Sequence, residues 1–367
     1  MHSSSDGLNI ARVLFAGGGT GGHVFMAVAL AEELKKRAPA CEALFVGGRQ
    51  GLEARIVPRL GYRLETVDIG GLNRVGLMKA LATLIRLPFT VLQGARIVRR
   101  FDPSVIVGVG GYSSGPVVLG GKLVGYPAIL IEPNAYPGLT NRWLSHWIDG
   151  AAIAFEEAAG RFGRKARITG IPVRREFLEI RTVISDAGPL RVLVFGGSQG
   201  SRPINNLMCE AIKSLSQDRV SIAHQTGKAD YERVKAAYEQ AGFRAEITEF
   251  IEGMPEAFAA SDLIISRAGA STVAEVTAAG KAAILIPFPE AADDHQRKNA
   301  AALARRKAAI LLEQSGTTGA DLAALITRLA GDRNELRAMA AASRGLAQPE
   351  SVDKILALLK EVARSRQ

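Results

Sequence analysis

Two short glycine runs, each set where an apolar stretch gives way to helical periodicity, are the residues of this sequence best suited to hold a phosphate. The first is Gly17-Gly-Gly-Thr-Gly-Gly22, followed at once by His23; the second is Gly196-Gly-Ser-Gln-Gly200. A turn without side chains leaves its backbone N–H groups open, and a helix beginning behind it adds the positive end of its dipole, so an anion is the expected guest. Ser198 and Gln199 add side-chain donors to the second run. His23 stands at a helix start, where the dipole keeps an imidazole neutral near pH 7. A neutral ring there can take a proton from an attacking hydroxyl, or it can cap the helix or bond a phosphate.

A third group lies further along. Ser266-Arg-Ala-Gly-Ala-Ser-Thr-Val-Ala-Glu275 begins as a strand, turns at Gly269 and enters a helix carrying Glu275 within its first two turns. Ser271 and Thr272 can donate to a diphosphate, and Glu275 can accept from the two hydroxyls of a ribose. Taken singly, the same residues also suit an N-cap and a dipole partner. Pro287-Phe-Pro289 then leads into a polar stretch whose Gln296 can bond sugar hydroxyls. The first glycine run fits the dinucleotide fingerprint loosely, through Gly17, Gly19 and Gly22, and no acidic strand end follows about 20 residues on. A dehydrogenase needs one such site, whereas an enzyme joining two phosphorylated substrates has use for two.

Positioning these turns requires strands that end at them. Ala11–Ala16 and Leu190–Phe195 are apolar runs too short for helices, and each reads as the first strand of a Rossmann-like unit. Strand and helix alternate after both. The strands read as 42–47, 105–109, 128–131 and 151–154 in the first half, and as 220–225, 245–250, 263–266 and 282–286 in the second. Such alternation predicts parallel sheets, hence an α/β protein of two doubly wound domains. The boundary falls in the punctuated stretch 170–189, giving domains 1–173 and 174–349. A helix over 352–359, apolar at Val352, Ile355, Leu356 and Leu359, is expected to return to the first domain.

Composition narrows the setting. A chain of 367 residues exceeds one ordinary core, and 47% hydrophobic content with 39 glycines suits two α/β domains rather than disorder. Its two cysteines, Cys41 and Cys209, form no metal or disulfide pattern, so no metal is expected and a reducing cytoplasm fits. The N-terminus has no signal-peptide core, and no apolar run reaches the roughly 20 residues of a membrane span. The net charge of +10 points to anionic partners. From Gly71 to Arg100 the sequence has six basic residues (Arg74, Lys79, Arg86, Arg96, Arg99, Arg100) and no acid, interleaved with Leu77, Leu81, Leu84, Ile85 and Phe89. Such a stretch can rest on an anionic membrane, or be an amphipathic helix packed inward.

The motifs, in order, resemble the MurG family of bacterial N-acetylglucosaminyltransferases. They are GGGTGGHV at the first turn, GGYSSGP at 110–116, Glu132-Pro-Asn134 to Asn141, GIPVR at 170–174, GGSQG, ITEFI at 247–251, the Gly269–Glu275 turn, and PFP with DDHQ and NA at 287–300. The resemblance spans nearly the whole chain. It implies a GT-B fold, two Rossmann-like domains separated by a cleft, and inverting transfer of GlcNAc from UDP-GlcNAc to the MurNAc 4-hydroxyl of undecaprenyl-diphospho-MurNAc-pentapeptide, the step from lipid I to lipid II. It places Thr20, Gly21, Gly22 and Asn134 on the donor-sugar side, and Arg174 and Ser198 at the donor diphosphate. Ile251 falls at the uracil, Ala270, Ser271, Thr272, Val273, Ala274 and Glu275 at diphosphate and ribose, and Gln296 at the sugar. His23, Tyr112, Ser113 and Ser114, with Gly18 and Gly19, would face the acceptor.

The resemblance further implies no cofactor or bound metal, and the sequence has no Asp-x-Asp. It implies a peripheral location on the cytoplasmic face of the inner membrane, with cell-wall synthesis and division proteins as further partners and no nucleic acid. Two positions depart from the family's usual residues: Pro133 replaces Gln, and Met26 replaces Pro. Other readings are another GT-B UDP-sugar transferase, a UDP-GlcNAc epimerase, a Rossmann oxidoreductase, or a non-catalytic membrane-associated scaffold.

Overall fold

A computed structural model of the chain describes residues 10–19, 21–49, 51–68 and 77–364, with side chains of the helix that starts at Leu77 described from Arg86 onward. The chain divides into two compact units. Unit 1 runs to Pro172 and takes in the segment from Glu350; unit 2 is Val173–Pro349.

Unit 1 alternates strand and helix in the order β1 (Arg12–Gly17), α1 (Gly21–Arg37), β2 (Glu42–Gly48), α2 (Glu53–Arg59), β3 (Arg63–Val67), α3 (Leu77–Phe101), β4 (Val105–Gly110), α4 (Ser114–Leu123), β5 (Ala128–Glu132), α5 (Leu139–Leu144), β6 (Gly150–Ile153), α6 (Ala159–Phe162) and β7 (Ala166–Ile168). The sheet order is β3-β2-β1-β4-β5-β6-β7 and every pairing is parallel. Strands buried on both faces read as unbroken apolar runs, as Val13–Ala16 and Val105–Val109 do. The sequence order reverses between β1 and β4, which are hydrogen-bonded neighbours. Open α/β sheets bind ligands at the carboxyl ends of strands at such a reversal. The first glycine run follows β1, so it lies there.

Unit 2 begins with the short α7 (Arg175–Glu179). It continues through β8 (Leu190–Phe195), α8 (Arg202–Ala211), β9 (Val220–Gln225), α9 (Tyr231–Gln240), β10 (Glu246–Thr248), α10 (Met254–Ala260), β11 (Leu263–Ser266), α11 (Ala270–Ala279), β12 (Ala282–Leu285), α12 (His295–Arg305), β13 (Ile310–Leu311), α13 (Gly319–Gly331) and α14 (Arg333–Gly345). Its order is β10-β9-β8-β11-β12-β13, again all parallel, and the reversal falls between β8 and β11. The second glycine run follows β8 and the Gly269 turn follows β11, so both lie at that reversal.

The last helix, α15 (Ser351–Arg364), packs in unit 1 against β4, β5, β6 and α1. It buries Ile355, Leu356, Leu358, Leu359 and Val362 to 5% exposure or less. Strands β3, β7 and β13 are absent from the sequence reading. β3 is half polar and β13 has two residues, so neither carries a periodicity signal.

Candidate active site

In unit 1 the first glycine run is tied to the end of β4, where Gly18 N–H donates to Gly110 O at 3.3 Å. His23, in the first turn of α1, is half-buried, and its Nδ1 lies 3.3 Å from Gly18 O. A Cβ at Gly110 would fall 2.9 Å from His23 Nε2, so glycine at the end of β4 is what lets the ring lie there. The N–H of Gly19, offered by the sequence to an outside anion, donates instead to the buried Glu53 carboxylate at 2.7 Å. Thr20 lies outside the described residues.

Beside them, Tyr112 is 38% exposed, whereas Ser113 and Ser114 are buried. Ser113 is the N-cap of α4 without a side-chain capping bond, and the buried Ser114 Oγ has no hydrogen-bond partner. Both side chains, expected on the acceptor side, are buried, and Ser114 Oγ lies 2.9 Å from the position of a Cβ at Gly108 in β4.

The Asn134 loop is organised by the first residue of its motif, a carboxylate to which the sequence assigns no role. Glu132, 1% exposed at the end of β5, accepts from Asn134 N–H (3.0 Å), Asn134 Nδ2 (3.1 Å), Gly138 N–H (3.0 Å) and Asn141 Nδ2 (2.9 Å). Burial raises its pKa, with these donors acting in the opposite direction without cancelling the rise. Pro133 has no N–H to donate, and the four bonds to Glu132 come from Asn134, Gly138 and Asn141. Met26 is likewise absorbed by the core, at 3% exposure.

In unit 2 the GGSQG turn leaves Ser198 and Gln199 exposed after a tight Gly197 O to Gly200 N–H bond of 2.9 Å. Gly200 has φ +74°, and a Cβ there would meet Thr226 O at 1.9 Å, so the turn and the end of β9 can pack only through glycine. Gln225, 1% exposed, spans the turn and the loop at Ile251 beyond β10. Its Nε2 donates to Gly197 O and its Oε1 accepts from Ile251 N–H, each at 2.9 Å.

Helix α11 has Gly269 as its N-cap with no side-chain capping bond, so neither Ser271 nor Thr272 is the cap. Ser271 is exposed, Thr272, Ala270 and Ala274 are half-buried, and Val273 points into the core. Its N–H donates to Gly269 O at 2.9 Å, so Val273 serves the helix and the core. Glu275, with 22% of its side chain exposed, lies 4.0 Å from Arg174 Nη2. Burial pushes its pKa up to about 7, with Arg174 acting in the opposite direction. The Arg174 guanidinium is held over the Phe177 ring, 4.9 Å from its centroid.

Gln296, near the start of α12, accepts from Phe288 N–H at 3.0 Å, which leaves the donor end of its amide to meet a hydroxyl. Arg267 is 8% exposed behind this group. Its Nη1 donates to Ile286 O and Pro287 O, and its Nη2 to Ser201 Oγ and Gln314 Oε1, at 2.7–3.1 Å. Burial lowers its pKa to about 10, so it stays a cation. Glu132, Gln225 and Arg267 share one legible signal, a polar residue at or just beyond the carboxyl end of an apolar strand. Glu53 has no such signal, since it opens a separate helix.

Two Rossmann-like units, each with a glycine turn at the reversal of a parallel sheet, are the architecture of the GT-B class of glycosyltransferases. The N-terminal domain of glycosyltransferase family 28 matches residues 13–153 and the C-terminal domain of that family residues 191–355. A UDP-N-acetylglucosamine--N-acetylmuramyl-(pentapeptide) pyrophosphoryl-undecaprenol N-acetylglucosamine transferase of Anaeromyxobacter sp. (strain Fw109-5) is 43% identical over 97% of this chain and 94% of its own. One of the same description from Myxococcus xanthus (strain DK1622) is 44% identical over 94% of this chain and 91% of its own. The crystal structure of Acinetobacter baumannii MurG matches with a TM-score of 0.82 at 32% identity, over 95% of this chain and 99% of that one. The chain belongs to glycosyltransferase family 28 and, within it, to the MurG family.

Proposed function

We propose that the protein transfers N-acetylglucosamine from UDP-GlcNAc to the 4-hydroxyl of a lipid-diphosphate-linked N-acetylmuramyl pentapeptide. The observation that carries this reading is the match, over nearly the full length of both chains, to transferases named for that reaction. Unit 2 is the donor half. The α11 N-terminus and Ser198 bind the diphosphate, Glu275 accepts from the ribose hydroxyls, Ile251 packs on the uracil and Gln296 bonds the sugar. Unit 1 supplies His23, Tyr112 and the loop held by Glu132.

The acceptor hydroxyl attacks C1 of the sugar from the side opposite the nucleotide, the C1–O bond to UDP breaks, and the configuration inverts. His23 takes the hydroxyl proton. Negative charge gathers on the departing UDP, where the α11 dipole and Arg174 stabilise it; comparable oxyanion donors contribute ~3–4 kcal/mol each. Release of UDP from UDP-GlcNAc only when a lipid I analogue is present supports this reading. Release without acceptor, or epimerisation of the sugar, would sink it.

We further infer that unit 1 rests on an anionic membrane surface. Along α3, Arg86, Phe89, Leu92 and Arg96 are all exposed, Phe89 to 70%, while Val91, Ala95 and Val98 face inward. A one-sided exposed stripe of apolar groups among cations suits an anionic leaflet. Trp143 and Trp147, four residues apart near α5, are exposed to 74% and 52%, and tryptophan favours the headgroup level. Among the described residues no helix is long and apolar enough to cross a membrane. The side chains of Leu77, Lys79, Leu81, Leu84 and Ile85, included in the sequence reading, lie outside those described.

A further inference from the structure

Glu53 is 2% exposed at the first turn of α2 and belongs to none of the motifs. Its carboxylate is divided between two backbone donors, Oε2 accepting from Gly19 N–H at 2.7 Å and Oε1 from Gly48 N–H at 2.8 Å. The space it fills is made by glycine: a Cβ at Gly18, Gly47 or Gly51 would fall 2.2–2.4 Å from its side-chain atoms. The Gly19 N–H belongs to the same peptide group whose carbonyl, Gly18 O, lies 3.3 Å from His23 Nδ1. One peptide thus has a carboxylate on its N–H and an imidazole on its C=O.

We propose that Glu53 is a positioning residue for His23, acting through the peptide between Gly18 and Gly19. This rests on the reading of His23 as the proton acceptor. A carbonyl oxygen can only accept, so a neutral His23 bonded to Gly18 O carries its proton on Nδ1 and keeps the lone pair on Nε2. The charge-assisted bond from Gly19 N–H to Glu53 fixes the plane of that peptide and polarises its carbonyl toward stronger acceptance. A carboxylate that orients an imidazole and sets its tautomer is the arrangement of hydrolytic triads; here a peptide group is interposed. The glycines around Glu53 follow from the same requirement, because the carboxylate must reach the back of the turn.

The test is long-range nitrogen–proton NMR of the full-length protein labelled with 15N-histidine, with His23 assigned through His23→Gln. In the unaltered protein at pH 8, His23 is expected in the Nδ1–H form. Glu53→Gln has one amide oxygen for two N–H donors, so the turn loosens. The tautomer is expected to move toward Nε2–H, and kcat to fall at least about 10–100-fold, the loss seen when the outer partner of a metal-ligating imidazole is removed, with the KM for UDP-GlcNAc little changed. An Nε2–H His23 in the unaltered protein would overturn the proposal even if Glu53→Gln did not fold. So would a Glu53→Gln protein with unchanged tautomer and unchanged kcat. Full turnover by His23→Gln would remove the proton-acceptor reading alone, since a Glu53-dependent Nδ1–H tautomer would still be seen.

Discussion

At the scale of single residues, Glu275 is the group whose chemistry is most sharply set by its surroundings. Its pKa of about 7 lies above the ordinary value of 4.5 because burial opposes its charge. In the free protein the folded state therefore favours the protonated form. The stability this contributes is present below about pH 4.5 and is lost as pH rises through about 7. Ribose hydroxyls donating to the carboxylate favour the charged form, so binding should release a proton. Calorimetry of UDP-GlcNAc binding at pH 6.5, in buffers of different ionisation enthalpy, should show release of part of a proton and affinity that rises toward pH 8. Glu275→Gln should abolish the release, weaken binding about tenfold or more through loss of a charged acceptor, and be more stable than the unaltered protein at pH 8. Buffer-independent heats in the unaltered protein would remove Glu275 from the ribose. A second residue titrates in the opposite sense. His224, 1% exposed and bonded to Tyr238 and Asn205, has its pKa lowered by burial to about 3. Its neutral form suits the fold, so the stability it contributes is intact above about pH 6.5 and is lost as pH falls toward 3. Urea denaturation at pH 7.5 and pH 4.5, with His224→Gln as reference, should show a steeper acid loss in the unaltered protein.

At the scale of elements, function depends on the ends of strands and on one face of α3. If the exposed stripe of α3 meets an anionic leaflet, Arg86→Gln with Arg96→Gln removes about 2 kcal/mol of attraction, roughly a thirtyfold drop in binding to vesicles containing phosphatidylglycerol. Turnover of a detergent-dispersed acceptor should be unaffected, and unchanged vesicle binding would return α3 to the status of an amphipathic helix. Which elements could be read in advance follows from the same physics. The first strand of each unit, β4, β11 and their glycine turns carry unbroken apolar runs cut off by residues that only a turn accommodates, and they are legible. β3, with Arg63 and Glu65 among its five residues, is held by its register to β2 and has no pattern of its own. The roles of Glu53 and Glu132 depend on where their carboxylates end up in space, on backbone N–H groups 34 and up to 6 residues away. The inward turn of Ser113 and Ser114 depends on how α4 meets β4. Spacing along the chain contains neither.

At the scale of the whole molecule, the chain leaves unit 1 at Pro172 and comes back to it at Glu350, so the two units differ in what they need from the chain ends. Unit 2 is continuous and has its own core from Ile184 to Ala340. Unit 1 needs α15. Five large apolar side chains of that helix are buried, among them Leu358, which packs where Gly150 has no side chain, 3.0 Å from the position of its missing Cβ. Burying such side chains contributes about 1.5–3 kcal/mol each, on the order of 10 kcal/mol together, comparable to the whole stability of a typical domain. Termination after Pro349 should therefore unfold unit 1 and leave unit 2 folded. Hydrogen exchange of the truncated chain should show protection lost in β1, β4 and β5 and kept in β8, β9 and β11. UDP-GlcNAc should still bind through Arg174, Ser198, Ile251, Glu275 and Gln296 of unit 2, more weakly for want of the donor-sugar side expected of Thr20, Gly21, Gly22 and Asn134 in unit 1, while transfer should be lost with His23 and the Glu132 loop. Loss of protection in both units on the same truncation would show that unit 2 cannot stand without unit 1, and loss of donor binding from a folded unit 2 would show that the donor site is not contained within it.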